Sequence, residues 1–299
     1  MTRPTQAAGE SGMVLVAVLW IVALLSLLVS AHNTSVRTAV TVTSAEFALA
    51  RLETIADAGI ELAAAKLQAA DADRWIADGR LYQVRFANAV MRLRIRDTNG
   101  LLNLNRADGP VMVAVLRALT SSERQAKQIH DHIISRREQA VARTARSATG
   151  VDANRTKASG NVRALALQDL NQLLDAPGVD LGLLQTLRRF VTVHSASKGI
   201  NPDVAPRGLL RILPGVGEQQ ADTLMDARNT QTSGLSAETA QPASSNIFVS
   251  KEGPAFRVSI EVQDKQFKKP LATSAVIMIV DNARQPFHII SRQPFATSS

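Results

Sequence analysis

The sequence predicts an α+β fold: one long N-terminal helix on an antiparallel sheet, with a large all-α insertion between the first strands and the last. Three observations carry this expectation. An uncharged run from Met13 to Ala31 continues without a break into an amphipathic helical pattern that reaches about Ala70. Two stretches of strand-like alternation, one around Met91 to Ile95 and one around Val258 to Val262, lie far apart in the chain. The residues between them carry helical stripes punctuated by Gly and Pro instead.

The run MVLVAVLWIVALLSLLVSA is about 28 Å long as an α-helix, close to the hydrocarbon thickness of a bilayer. Twelve of its residues are Val, Leu or Ile, which together favour insertion by about 4–7 kcal/mol. Residues 13–31 are therefore expected to span a membrane. The leader before them, MTRPTQAAGESG, carries one basic residue, Arg3. No Ala-x-Ala site follows the apolar run, so it does not read as a removable secretory signal. The expected cut lies in front of it, between Gly12 and Met13. Further on, Ala48, Leu52, Ile55, Ala56, Ile60 and Ala63 recur at helical spacing, with Arg51 and Glu53 on the polar side.

Met91, Leu93 and Ile95 alternate with Arg92, Arg94 and Arg96, a period of two with one buried face. Three arginines on one face could form a phosphate ladder; a solvated face is the expectation. Asp97-Thr98-Asn99-Gly100 then reads as a tight turn, since it lacks the spacing and terminal Glu of a calcium loop. Pro110 suits the first turn of a helix to Ala118, and Ser121-Ser122-Glu123 a second helix start. Ile129, Ile133 and Ile134 give one apolar stripe, and Leu165 to Leu174 another, stopped by Pro177-Gly178. A further one runs from Leu181 to Phe190.

Leu213-Pro214-Gly215-Val216-Gly217 reads as a helix-hairpin-helix-like element, its glycines allowing a tight turn and close helix approach. Such hairpins often hold DNA phosphates through backbone N–H groups. Here Glu218 and Asp222 start the second helix and repel phosphate, so the structural reading is preferred and no nucleic-acid partner is expected. After a Gln-, Thr- and Ser-rich linker from Asn229 to Ser245, strands return at Val258–Val262 and Ala275–Val280, with an edge at Phe287–Ile290.

Composition narrows the chemistry. The 299 residues carry a formal charge of +8 and no Cys, which excludes disulfides, thiol catalysis and cysteine metal sites. His130 and His132 are two apart on a helix and do not face one another. With no nucleophile-base pairing, phosphate-binding loop or zinc pattern, the chain does not read as an enzyme, and no catalytic or metal residues are assigned.

A polar leader, a Gly and an uncut apolar helix resemble the type IV prepilin and pseudopilin signature. That resemblance implies a prepilin peptidase that cleaves after Gly12 and methylates Met13. Most pilins carry a Glu at the fifth position after the cut, which pairs with a neighbour's terminal amine; here it is Ala17. A subunit with nothing stacked above it needs no such carboxylate. Further on, the Arg-rich strand, the Gly turn and Asn103-Leu104-Asn105 are similar to the minor pseudopilin K family of type II secretion. So are Thr192-Val193-His194-Ser195, Gly199-Ile200-Asn201-Pro202, Ala205-Pro206 and Leu209-Leu210. His194 stands where the family has Tyr, and the likeness runs from Gly12 to about Arg228.

The resemblance implies a pilin-like fold and a tip role in the pseudopilus. Its partners would be minor pseudopilins I and J, the inner-membrane assembly platform and the bilayer. The implied placement is single-pass in the cell inner membrane, with a short cytoplasmic N-terminus and a periplasmic C-terminal domain. The implied division is a leader (1–12), a transmembrane half-stem (13–31), a stem with first strands (32–105), an α-helical insertion (106–246) and closing strands (247–299). Calcium enters only through the resemblance, and Ile134-Ser135-Arg136-Arg137-Glu138 stands where the family has an acidic segment. The alternative function is an anchored DNA receptor using the hairpin; Ala17, the flanking strands and the acidic second helix speak against it.

Overall fold

The computed structural model describes residues 10–70, 72–148, 166–231, 247–249, 251–264, 270–280 and 285–294. The chain divides into two compact units, Met1–Thr54 and Ile55–Ser299. In chain order the elements are α1 (Glu10–Leu67), β1 (Asp78–Phe86), β2 (Ala89–Asp97), β3 (Leu102–Asn103), α2 (Gly109–Leu119) and α3 (Glu123–Ala148). Then come α4 (Leu181–Arg188), β4 (Val191–Thr192), α5 (Arg207–Ile212), α6 (Gly217–Gln231), β5 (Ala255–Asp264), β6 (Leu271–Ile279) and β7 (Phe287–Pro294). The architecture is α+β, as expected, with an antiparallel sheet and several helices.

The helix α1 is 58 residues long and covers the expected stem to within three residues of Ala70. Side chains of the apolar run are described over Met13 to Leu27, all exposed, and residues 28–31 of the expected span lie outside that description. Among the described residues no helix is long and apolar enough to cross a membrane. At its other end α1 stops because each of its last four carbonyls finds a donor from outside the helical ladder. Gln68 Nε2 reaches Ala64 O (3.0 Å) and Arg74 Nε reaches Leu67 O (3.1 Å). The amides of Gln68 and Trp75 take Ala65 O and Lys66 O.

The sheet has the order β1-β2-β5-β6-β7, with every neighbour antiparallel. Strands from either side of the helical block therefore form one sheet, as the alternation predicts. The register sets Met91 opposite Val262, Leu93 opposite Ile260 and Ile95 opposite Val258. This face is buried against the second half of α1, whose Ile55, Ala56, Ile60, Ala63, Ala64 and Leu67 are buried too. Full burial of residues such as Leu93 and Ile95 favours folding by about 1.5–3 kcal/mol each. Gly59 permits the closest approach: a Cβ there would lie 3.1 Å from Ile260 Cδ1 and 3.3 Å from Met91 Sδ. Arg292 of β7 adds an ion pair to Asp57 of α1 at 2.6 Å.

The helical block has its own core, centred on Met112, Leu116, Ile129, Ile133, Leu167 and Leu187. Pro110 sits in the first turn of α2, as expected. Ser122 starts α3 by accepting from the amides of Gln125 (3.2 Å, through Oγ) and Ala126 (3.1 Å, through its carbonyl). The stripe before Pro177 forms a 3-10 helix, Leu170–Asp175, and not a longer α-helix. Asp169 caps it and turns the chain tightly enough to place Leu170 and Leu173 inward; Leu165 lies outside the described residues.

Gly59→Leu is expected to destabilise the fold by about 1–3 kcal/mol through overpacking of the helix-sheet contact. Gly182→Ala, in an exposed turn of α4, is expected to be neutral or stabilising by under about 1 kcal/mol. Chemical denaturation of the two variants checks the opposite signs.

Candidate functional site: a buried polar seam and the surfaces around it

The expected turn at Asp97–Gly100 is a short 3-10 helix, and it is buried, not a surface turn. Asp97 ends β2 and faces inward. Its Oδ1 accepts from the Asn99 amide (2.7 Å) and its Oδ2 from the Gly253 amide (2.8 Å), just ahead of β5. Thr98 Oγ1 donates to Ala255 O at 2.8 Å. Asn99 donates through Nδ2 to Lys251 O (3.0 Å), accepts from Ser195 Oγ (2.6 Å), and its carbonyl takes the Asn201 amide (2.7 Å). Gly100 lets two backbones touch, since a Cβ would come within 2.7 Å of Val204 O.

The two segments that resemble the K family meet here. Strands β3 and β4 pair in parallel, Leu102 with Val191 and Asn103 with Thr192. Asn103 Nδ2 donates to Ser195 O at 2.6 Å, and Asn105 Nδ2 to Leu167 O (2.8 Å) and Val193 O (3.0 Å). Buried backbone groups need such partners, so these asparagines act as side-chain strands in the ladder. Their recurrence in the sequence therefore reads as structure and not as chemistry. Sequence reasoning missed the role of Asp97 and Asn99. Their Asx-turn composition is visible there, but burial is set by partners some 100 to 156 residues away.

Three guanidinium groups clamp carbonyls in the same region. Arg137 holds Leu104 O (2.7 Å) and Ala107 O (2.9 Å), and Arg228 holds Ala205 O (2.9 Å) and Pro202 O. Arg257 of β5 holds Val191 O (3.3 Å) and Arg188 O, at the end of α4 where the helix dipole is negative. Burial lowers the pKa of all three, and Arg257, also repelled by Arg96 and Arg188, falls to about 10. Neither the segment from Ile134 to Glu138, where the family has acidic residues, nor the Asp97 turn, set aside for its spacing, offers calcium a set of free carboxylates. Arg136 pairs with Asp175 at 2.5 Å, Arg137 is a clamp, and both Asp97 oxygens are taken by amides. Among the described residues no cluster of three or more His, Cys, Asp or Glu is placed to hold a metal.

The remaining expected positions lie apart from this seam. Gly12, Met13 and Ala17 all fall within α1; Met13 and Ala17 are exposed, and the side-chain surroundings of Gly12 lie outside the described residues. Pro214, Gly215 and Gly217 form the turn between α5 and α6, where Gly215 (φ 78°) and Gly217 (φ 67°) take the left-handed conformation that favours glycine. The basic side chains beside it are engaged: Arg207 pairs with Asp222 at 2.7 Å, and Arg211 with Glu218. The arginine face of β2 is solvated at Arg92 and Arg94 but not at Arg96, which is half-buried.

Asp97 also predicts a pH effect. Burial pushes its carboxyl from 3.8 up to about 6, against two amides that favour the charged form, and Glu252 adds repulsion. The folded state thus holds the proton more tightly than the unfolded chain. The contribution of Asp97 to stability is greatest below about pH 4 and declines as pH rises to about 6, by up to about 3 kcal/mol. Urea denaturation of wild type and Asp97→Asn from pH 4 to 7 should show their stability difference shifting in favour of the Asn variant. A difference that stays flat with pH contradicts this.

No protein-family model matches the chain, and no curated protein does. Among solved structures it is similar to a chain in the crystal structure of the GspK–GspI–GspJ complex from the enterotoxigenic Escherichia coli Type 2 Secretion System. The TM-score is 0.55 at 14% sequence identity, covering 85% of this chain and 99% of that chain. The long helix on an antiparallel sheet, with a helical block between β2 and β5, is therefore a GspK-like fold.

Proposed function

We propose that the chain is a non-catalytic minor pseudopilin of type II secretion, placed at the tip of the pseudopilus. In this reading it primes and caps a fibre that exports folded proteins across the outer membrane. The observation that carries it is the fold likeness, which spans 99% of a chain from a complex of three such subunits. Residues 1–12 are a prepilin leader, 13–31 the membrane half of the stem, 32–105 the stem and first strands, 106–246 the insertion and 247–299 the closing strands. The protein sits in the inner membrane with its sheet and helical block in the periplasm, and meets prepilin peptidase, the assembly platform and minor pseudopilins I and J. Ala17 supports the tip position, because a subunit with no carboxylate there offers nothing to the terminal amine of one above. The DNA-receptor reading draws no support from the hairpin, whose neighbouring arginines face carboxylates.

Co-expression of the full chain with the minor pseudopilins I and J of its own cell tests the proposal. A stable ternary complex is expected by size-exclusion chromatography, together with an intact mass that begins at methylated Met13. Gly12→Leu should leave the leader attached. Failure to form the complex from correctly processed protein overturns the tip role; a mature chain beginning elsewhere overturns the pseudopilin reading itself.

A further inference from the structure

The register of β1 and β2 sorts their side chains into two faces. Leu81 lies opposite Arg94, Gln83 opposite Arg92 and Arg85 opposite Val90. Directly opposed residues share a face, so Leu81, Gln83 and Arg85 stand with Arg92, Arg94 and Arg96. The other face holds Met91, Leu93 and Ile95 and is buried. On the arginine face Leu81, Gln83, Arg85, Arg92 and Arg94 are all exposed, and Leu81, at 46%, is an apolar side chain standing among cations. Glu261 of β5 meets Arg92 at 3.2 Å. The β1 edge of the sheet pairs with no other strand among the described residues.

The inner end of this stripe is not what a merely solvated face produces. Arg96 is half-buried and stands directly across from Arg257, a like-charge pair that disfavours the sheet. Its Nη1 is buried with no hydrogen-bond partner among the described residues, whereas Arg137, Arg228 and Arg257 all clamp carbonyls. The carboxylate nearest in register, Asp78, is engaged by Arg80 at 2.9 and 3.1 Å. Strand β1 is even deformed to make room: its register slips between Asp78 and Leu81, and Gly79 takes φ 92°. A Cβ at Gly79 would lie 2.2 Å from Arg96 Nη2. Burial and the nearby Arg228, Arg94 and Arg189 lower the pKa of Arg96, against the opposing pull of Asp78.

We propose that the open face of β1 and β2, with Leu81 directly opposite Arg94 and with Arg92 and Arg85 further along the same face, docks a protein partner that presents carboxylates. Arg92 and Arg94 lie about 7 Å apart along the strand, the spacing at which alternate residues of an extended acidic segment meet them. Arginine around an exposed apolar anchor is the composition of protein interfaces, and Leu81 has nothing to offer a phosphate backbone. Arg96 adds positive charge at the half-buried inner end of the same stripe, where its Nη1 has no hydrogen-bond partner among the described residues.

The test uses the full chain in a nonionic detergent and a fluorescent twelve-residue peptide of alternating Glu and Thr. Saturable binding that weakens as salt is raised is expected. Arg92→Gln with Arg94→Gln should weaken it at least tenfold, and Leu81→Ser several-fold, with circular dichroism unchanged. Arg124→Gln with Lys127→Gln removes the same charge from an exposed face of α3 and should change binding less than twofold. Equal losses in the two double variants would mean that only net charge is sensed, and would overturn the proposal. So would absence of peptide binding, or equal binding of duplex DNA or anionic phosphatidylglycerol vesicles that is lost with the same residues.

Discussion

Asp97 accepts one amide from its own turn and one from the segment that opens β5, and those two hydrogen bonds fix where the chain may leave the sheet and where it must return. Everything between, residues 98 to 254, is an excursion whose ends are held together at one buried carboxyl. Asn99 extends the same fastening to Lys251, Ser195 and Asn201, so the excursion is tied to the sheet at its beginning, its middle and its end. An amide or carboxyl left unpaired at such depth disfavours folding by about 1–3 kcal/mol, which gives each member of the seam a role that packing alone could not fill. With no cysteine in the chain, this polar network does the cross-linking that a disulfide does in other proteins.

Several of the chain's arginines serve its interior or local pairs. Arg137, Arg228 and Arg257 hold carbonyls that loops and helix ends would otherwise leave bare. Arg207 and Arg211 face carboxylates across the α5–α6 turn. The guanidinium group suits this use because it stays charged when buried and offers several donors in a fixed plane. A basic composition therefore says little here about nucleic acid; among the described residues the informative cation is Arg96, whose Nη1 lacks a partner.

Much of the fold was legible because its signals are local. The stem α1, the alternation of Met91, Leu93 and Ile95, Pro110 at the start of α2 and Ser122 ahead of α3 are all read from neighbours within a turn or two. Strand β1 was harder, since Leu81 and Phe86 are exposed and blur the period of two. The 3-10 helix at Leu170–Asp175 shares its leucine spacing with an α-helix, and its cap, Asp169, is held by Ser291 and Gln293 of β7, far along the chain. The half-burial of Arg96 depends on the end of α4 and on the slip in β1, neither of which leaves a mark near residue 96. Motif resemblance found Asn103, Asn105 and Ser195, but their meaning as backbone partners required the parallel pairing of β3 with β4.

The pairing of β2 with β5 also dictates an order of events during synthesis. The hairpin of β1 and β2 is complete when Asp97 has been made, yet its inner edge meets no partner until Ala255 follows. At usual translation rates that interval is roughly 8–30 s, long compared with the microseconds in which a hairpin forms. Throughout it β2 presents a row of open amides and carbonyls beside the apolar face of Met91, Leu93 and Ile95. The nascent chain thus carries this edge unpaired while residues 98 to 254 are made. Shielding of that edge by a chaperone, and of the apolar face by α1, is then a requirement of this topology, and β5 decides whether the hairpin grows into the five-stranded sheet.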